Sequence, residues 1–208
     1  MRGLRFRKRD QGDPMTYDLD EIFAEYEKLV ADVDTLFEKV KSSHPKEVKC
    51  AVGCCDCCYA LFDLSLVEAM YMKKMLEERF PGSKDREALL ERANAADRQT
   101  YRFKRELAKK RQEGVPEEDL LRMAGEKRIR CALLNEDYRC DLYEQRPITC
   151  RLYGIPLAIA GKGQTCGQSG FKPGGRYPTV HLEKIQDRLF QLSQAIVEKT
   201  GSPEPELG

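Results

Sequence analysis

The chain has 208 residues, of which 41% are hydrophobic, enough for one domain with a core of its own. Lys+Arg number 36 and Asp+Glu 35, for a formal net charge of +1, which speaks against a surface built for nucleic acid or for a strongly acidic substrate. We expect no membrane span, because no long apolar run occurs.

Residues 1–17 read as a basic flexible tail containing Arg2, Arg5, Arg7, Lys8 and Arg9. A secretory signal would need an apolar stretch after those charges, and Asp10-Gln11-Gly12-Asp13-Pro14 follows instead. The expected compartment is therefore the cytoplasm, where thiols stay reduced.

Leu19, Ile22, Tyr26, Leu29, Val33, Leu36 and Val40 recur in steps of three and four, predicting a first helix that Asp18 and Glu21 start and His44-Pro45 ends. Ser65-Leu66-Val67-Glu68 has the form of a capping box and predicts a helix to about Phe80, where Pro81-Gly82 stops it. Strong helix formers run from Asp85 to Glu113, with Gly114 as the expected C-terminal cap. Leu89, Leu90, Ala93, Tyr101 and Leu107 give that helix only a thin apolar stripe, so its charged surface is solvated or meets a protein partner.

Pro116 suits the start of another short helix ending near Gly125. The turn-forming Asn135-Glu136-Asp137 between Cys131-Ala132-Leu133-Leu134 and Tyr138-Arg139-Cys140-Asp141-Leu142-Tyr143 predicts a small β-hairpin. Glycines and prolines over 161–178 predict a loop around Cys166. Leu182, Ile185, Leu189, Leu192 and Ile196 mark a final helix, expected against the first, before a flexible tail at 201–208. The expected fold class is mainly α: a single helical domain over 18–200 with an irregular Cys-rich metal module at about 50–170.

The chemistry lies in the nine cysteines. Cys50, Cys54, Cys55, Cys57 and Cys58 fall within nine residues, an arrangement that lets several sulfurs reach one centre at low loop-closure cost. Cys57 and Cys58, being adjacent, are expected to point apart and serve different metals. Cys131, Cys140, Cys150 and Cys166 are too widely spaced to nucleate a site and need a folded scaffold. Setting Cys55 aside leaves Cys50, Cys54, Cys57, Cys58, Cys131, Cys140, Cys150 and Cys166, enough for four thiolates on each of two centres. Thiolates narrow the metal to iron–sulfur or zinc. Lys49, Arg130, Arg139 and Arg151 neighbour cysteines in sequence, at close to the chance frequency for so basic a chain. His44 and His181 read as helix-end or surface residues.

Cys54-Cys55-Asp56-Cys57-Cys58, with Cys50 upstream, and Cys140-Asp141-Leu142-Tyr143-Glu144-Gln145-Arg146-Pro147-Ile148-Thr149-Cys150-Arg151 resemble the two motifs of the YkgJ-like cysteine-cluster family (CxxCxxCC), described as zinc- or iron-chelating. The second is similar to that family's C-x-I-Y-x-x-R-P-x-x-C-R signature. The chain departs from the first motif by having three residues between Cys50 and Cys54 and by adding Cys55. The resemblance spans about 50–170 and implies a metal-chelating module. Some relatives are joined to a protein-lysine N-methylase activity, which is not carried over.

Within the second motif Arg146 and Arg151 are candidate cofactor-binding residues, as donors to cluster sulfurs or to an anion, with structural support as the alternative. The leading functional expectation is one or two iron–sulfur clusters, of the four-iron type, in a redox or cluster-supported role. The alternative is a structural zinc-binding adaptor module. A third reading, an S-adenosylmethionine enzyme on Cys50-x3-Cys54-x2-Cys57, ranks last because the chain lacks repeated strand–helix units.

Overall fold

The computed structural model describes residues 17–82, 84–159, 161–172 and 174–201. The basic stretch at 1–16 and the C-terminal 202–208 lie outside these residues. The architecture is mainly α: helices α1 (Asp20–Ser43), α2 (Leu66–Arg79), α3 (Lys84–Gln112), α4 (Glu117–Glu126), α5 (Ile148–Leu152) and α6 (Leu182–Thr200). Strands β1 (Leu157–Ile159), β2 (Lys162–Gln164) and β3 (Val180–His181) form a sheet of order β2-β1-β3. Among the described residues no helix is long and apolar enough to cross a membrane.

The main core is built by α1, α2, α5 and α6. The periodic apolar face of α1 buries Phe23, Tyr26, Val33 and Val40. Leu36 turns outward, and Phe37 packs on the core in its stead. All five apolar residues expected on the inner face of α6 are buried. That helix packs on both α1 and α2, and Ser193 Oγ accepts the α2 backbone N–H of Val67 at 3.2 Å. Gly201, at φ 61°, takes the left-handed conformation that ends α6.

The ends of α1 and α2 obey local rules. Leu19 caps α1 without a side-chain bond, while Asp18 Oδ1, one position earlier, accepts from the backbone N–H of Asp20 at 3.1 Å. The α2 capping box is complete: Ser65 Oγ accepts from Glu68 N, and Glu68 Oε2 accepts from Ser65 N at 3.0 Å. Glu68 is buried, and its Oε1 accepts from Ile148 N at 3.0 Å, so this one carboxyl group also fixes the first turn of α5.

A second, smaller core gathers Leu89, Leu133 and Leu142. Met75 of α2 packs against both cores, which makes α2 the wall between them. The thin stripe of α3 buries Leu89 and Phe103, while Leu90 and Tyr101 face solvent. Arg92 ties α3 to the loop at 131–142, donating to Ala132 O at 2.8 Å and to Asp141 Oδ2 at 2.9 Å.

Extended structure falls elsewhere than expected. The hairpin predicted over 131–143 is reduced to one antiparallel bridge, Leu134 to Cys140, around a turn in which Asn135 N bonds Arg139 O at 2.9 Å. The Asn135 side chain takes over the pairing there: its Oδ1 accepts from both Asp137 N and Arg139 N. The regular hairpin is β1–β2, whose second strand lies within the stretch read as loop, and β1 pairs in parallel with β3 through Leu157↔Val180 and Ala158↔His181.

Candidate metal centre

Four chain segments deliver the cysteines. After α1 the chain turns at Cys54 N→Ala51 O (3.0 Å), with Gly53 at φ 91°, a conformation that favours glycine. A 3-10 turn, Asp56–Tyr59, then presents Cys57 and Cys58. Residues 58–60 run alongside 128–131 through Cys131 N→Cys58 O (2.7 Å), Ile129 N→Tyr59 O (3.1 Å) and the Ala60 to Arg128 bridge, which places Cys131 beside Cys58. The Leu134 to Cys140 bridge and Asp141 N→Leu133 O (2.8 Å) fold Cys140 back toward Cys131.

Cys150 rides on α5, held in the main core by buried Ile148 and Leu152. Cys166 comes from the loop after β2. That loop is pinned to the segment ahead of Cys50 by Gly170 N→Glu47 O at 2.7 Å. A Cβ at Gly170 would lie 3.0 Å from Glu47 Cα, so the close backbone approach relies on the missing side chain.

The sulfurs fall into two adjoining groups. In the deeper one Cys57 is the hub: hydrogen bonds from the Cys150 and then the Cys58 thiols hold its own thiol far below the ordinary range. Cys58 and Cys150 are pushed up correspondingly, first by donating to Cys57 and then by burial. Burial raises Cys131, and raises Cys140 to about 11; both feel the charge of Cys57. The shallower group is Cys50, Cys54 and Cys166. Cys50 is exposed as a residue, and partial desolvation of its thiol lifts it to about 11, with the charges of Cys54, Cys166 and then Cys57 adding to it.

Cys57 and Cys58 both lie on the tight 3-10 turn Asp56–Tyr59 and not on a regular strand or helix. Cys55, set aside in the sequence, is half-buried beside them.

Polar residues around the sulfurs were partly invisible in the sequence. Asp56 accepts from Arg128 Nη2 at 2.6 Å and from the Cys166 thiol at 3.4 Å on its two carboxylate oxygens. Arg128 also lies over the Tyr59 ring and donates to Tyr153 OH. Gly154 is buried, and a Cβ there would collide with Cys50 Sγ, so this glycine makes room for that cysteine. Asp56 and Gly154 carried a signal, the first lying inside a cysteine motif and the second three residues after one; Arg128 carried none.

The two candidate arginines part company. Arg146 stacks on the Tyr143 ring at 4.1 Å, donates to Tyr143 O at 2.7 Å, and its charge reaches Cys57 and Cys50. Arg151 is buried, and its guanidinium donates to Asp34 Oδ2 (2.6 Å), Arg146 O (2.9 Å) and Glu144 O. It braces the Cys150 segment against α1. Of the other sequence neighbours of cysteine, Arg130 donates to Leu134 O and Asn135 O. His44 packs on Phe171 and Tyr177, and His181 caps α6.

All nine cysteines are free thiols. Among the described residues no three His, Cys, Asp or Glu side chains stand at metal-holding geometry. As a donor set they fit a thiophilic metal, since each group is all or nearly all sulfur and Arg146 offsets thiolate charge. A larger cavity, of about 740 Å³, lies between the 63–65 loop, α5 and α6, and none of its lining residues is a cysteine. No family model, no curated protein and no solved structure matches the chain.

Proposed function

We propose that this protein holds metal on the eight cysteines Cys50, Cys54, Cys57, Cys58, Cys131, Cys140, Cys150 and Cys166, as iron–sulfur centres with a redox or cluster-supported role. The observation that carries the reading is the cluster of cysteines: backbone pairing of 58–60 with 128–131 and the Leu134 to Cys140 bridge bring Cys131 and Cys140 to the turn that bears Cys57 and Cys58, and Cys50, Cys54 and Cys166 line one cleft alongside. A single zinc ion uses four ligands; the surplus favours a polynuclear centre or two adjoining ones. Cys58, Cys131, Cys140 and Cys150 are the ligands of the deeper centre. Cys50, Cys54 and Cys166 serve the shallower one, and Cys57, the hub of the deeper group, adjoins both.

Bound iron–sulfur clusters would supply one-electron chemistry here. The chain's own residues contribute position and charge: Asp56 aims Cys166, Gly154 admits Cys50, and Arg146 lowers the cost of collecting thiolates. The same motifs underlie the resemblance to the YkgJ-like family. The outer face of α3, where Leu90 and Tyr101 are exposed among charges, is the surface we assign to a protein partner. Anaerobic purification followed by iron and acid-labile sulfide analysis tests the central reading. A brown protein with both elements supports it, and a colourless folded protein with stoichiometric zinc replaces it with the structural zinc module.

A further inference from the structure

We infer that the two sulfur groups do different work: the deeper group is a permanent fastener between the two hydrophobic cores, and the shallower group is an exchange site through which metal enters and leaves. The inference rests on the metal-binding reading above and goes beyond it by giving the groups separate roles.

The fastener role follows from what each sulfur is attached to. Cys131 and Cys140 pack against the small core of Leu89, Leu133 and Leu142. Cys150 sits on α5 between Ile148 and Leu152, which belong to the main core. Metal held by these sulfurs ties the two cores together, and removing it requires the cores to part. Because such a site forms only in the folded chain, its binding energy is folding energy.

The shallower group is attached to much less. Cys50 and Cys54 are exposed, and Val52 between them is 89% exposed. Cys166 sits in a loop whose Thr165, Gly167 and Gln168 are all exposed. The contacts that place this loop, Gly170 N→Glu47 O, Ser169 Oγ→Cys166 O and Cys166 Sγ→Asp56, involve no metal and persist without it. Cys50, Cys54 and Cys166 line one small cleft together, edged by exposed Lys49 and Gln168. Ligand exchange proceeds by attack on the bound metal, so access decides its rate. Cys50 and Cys54 are exposed, whereas Cys57, Cys58, Cys131, Cys140 and Cys150 are half-buried, so an attacking ligand reaches the shallower centre more readily, and full access to the deeper one comes with opening of the segments that carry it.

The test uses the full chain as isolated under anaerobic conditions, with its metal content measured first. A chromogenic chelator is added in excess, 4-(2-pyridylazo)resorcinol for zinc or bathophenanthroline disulfonate for iron, and metal release and far-ultraviolet circular dichroism are followed together. We expect two phases separated by at least about tenfold in rate, because the second is limited by opening of the fold. The fast phase leaves the helical signal unchanged, and the slow phase follows its loss.

Cys166→Ser and Cys54→Ser each abolish the fast phase and keep the slow one and the helical signal. A single phase, a fast phase that survives in both variants, or a helical signal that falls with the fast phase overturns the division of labour while leaving metal binding intact. Metal-free protein at the outset overturns the metal-binding reading itself.

Discussion

Replacing Arg151 separates two readings of the residue that follows the last cysteine of the second motif. Its side chain is 4% exposed and its guanidinium bonds the Asp34 carboxylate and the carbonyls of Glu144 and Arg146. Arg151→Met keeps most of the volume and removes every donor. Asp34, with its side chain 44% exposed, regains water and contributes little to the loss. The two carbonyls lose a charged donor at about 1–3 kcal/mol each, for a total of about 3 kcal/mol.

With a urea slope of about 2 kcal/mol/M, that moves the unfolding midpoint down by about 1.5 M. Arg151→Lys keeps one bond but not the planar fork, and loses about 2 kcal/mol. Metal per folded molecule stays at the wild-type level in both variants. A midpoint shift worth under about 0.5 kcal/mol, or metal lost while stability is kept, would refute the bracing role and return Arg151 to the bound centre or to an anion.

Gly154→Ala places a methyl group against Cys50 Sγ; the Cys50 side chain can rotate into water, so stability falls by no more than about 1 kcal/mol while metal at the shallower group is lost, as metal analysis beside a urea titration will show. Ser65→Ala removes the side-chain half of the α2 capping box and costs about 1 kcal/mol, measured by the same titration. Tyr26→Phe deletes a buried hydroxyl that has no hydrogen-bond partner and stabilises the fold by about 1 kcal/mol, read as a higher thermal midpoint. Burial, the first cause, also holds the folded Tyr26 phenol neutral far above its usual range. The unfolded chain therefore gives up that proton first as pH rises past about 10, stability falls there, and the fall is shallower in Tyr26→Phe.

The helices were legible because their signals are local. Apolar spacing in 182–196, the capping box at Ser65 and Glu68, and the stops at Pro45 and Gly114 need no knowledge of the rest of the chain. The strands were not, because the partner of β1 across the parallel edge is Val180, more than twenty residues on, and nothing in Val180-His181 announces it. At the sulfurs, the crowded first motif could be read directly. How Cys131, Cys140, Cys150 and Cys166 reach it could not, since this depends on 58–60 pairing with 128–131 and on Gly170 meeting Glu47.

Arg151 shows the same limit from the other side. A cation next to a cysteine in sequence turned out to face α1, and the cation whose charge reaches Cys57 is Arg146, four residues before Cys150. Adjacency along a helix carries side chains about 100° apart, so the residue next to a ligand is a poor guide to what stands beside the ligand in space.

The most direct measurement of the central claim is X-ray absorption at the edge of whichever metal accompanies the freshly isolated protein. Thiolate ligation by the eight cysteines predicts a first shell made of sulfur, at about 2.3 Å. A first shell of nitrogen or oxygen, or protein that folds and purifies without any metal, would contradict it.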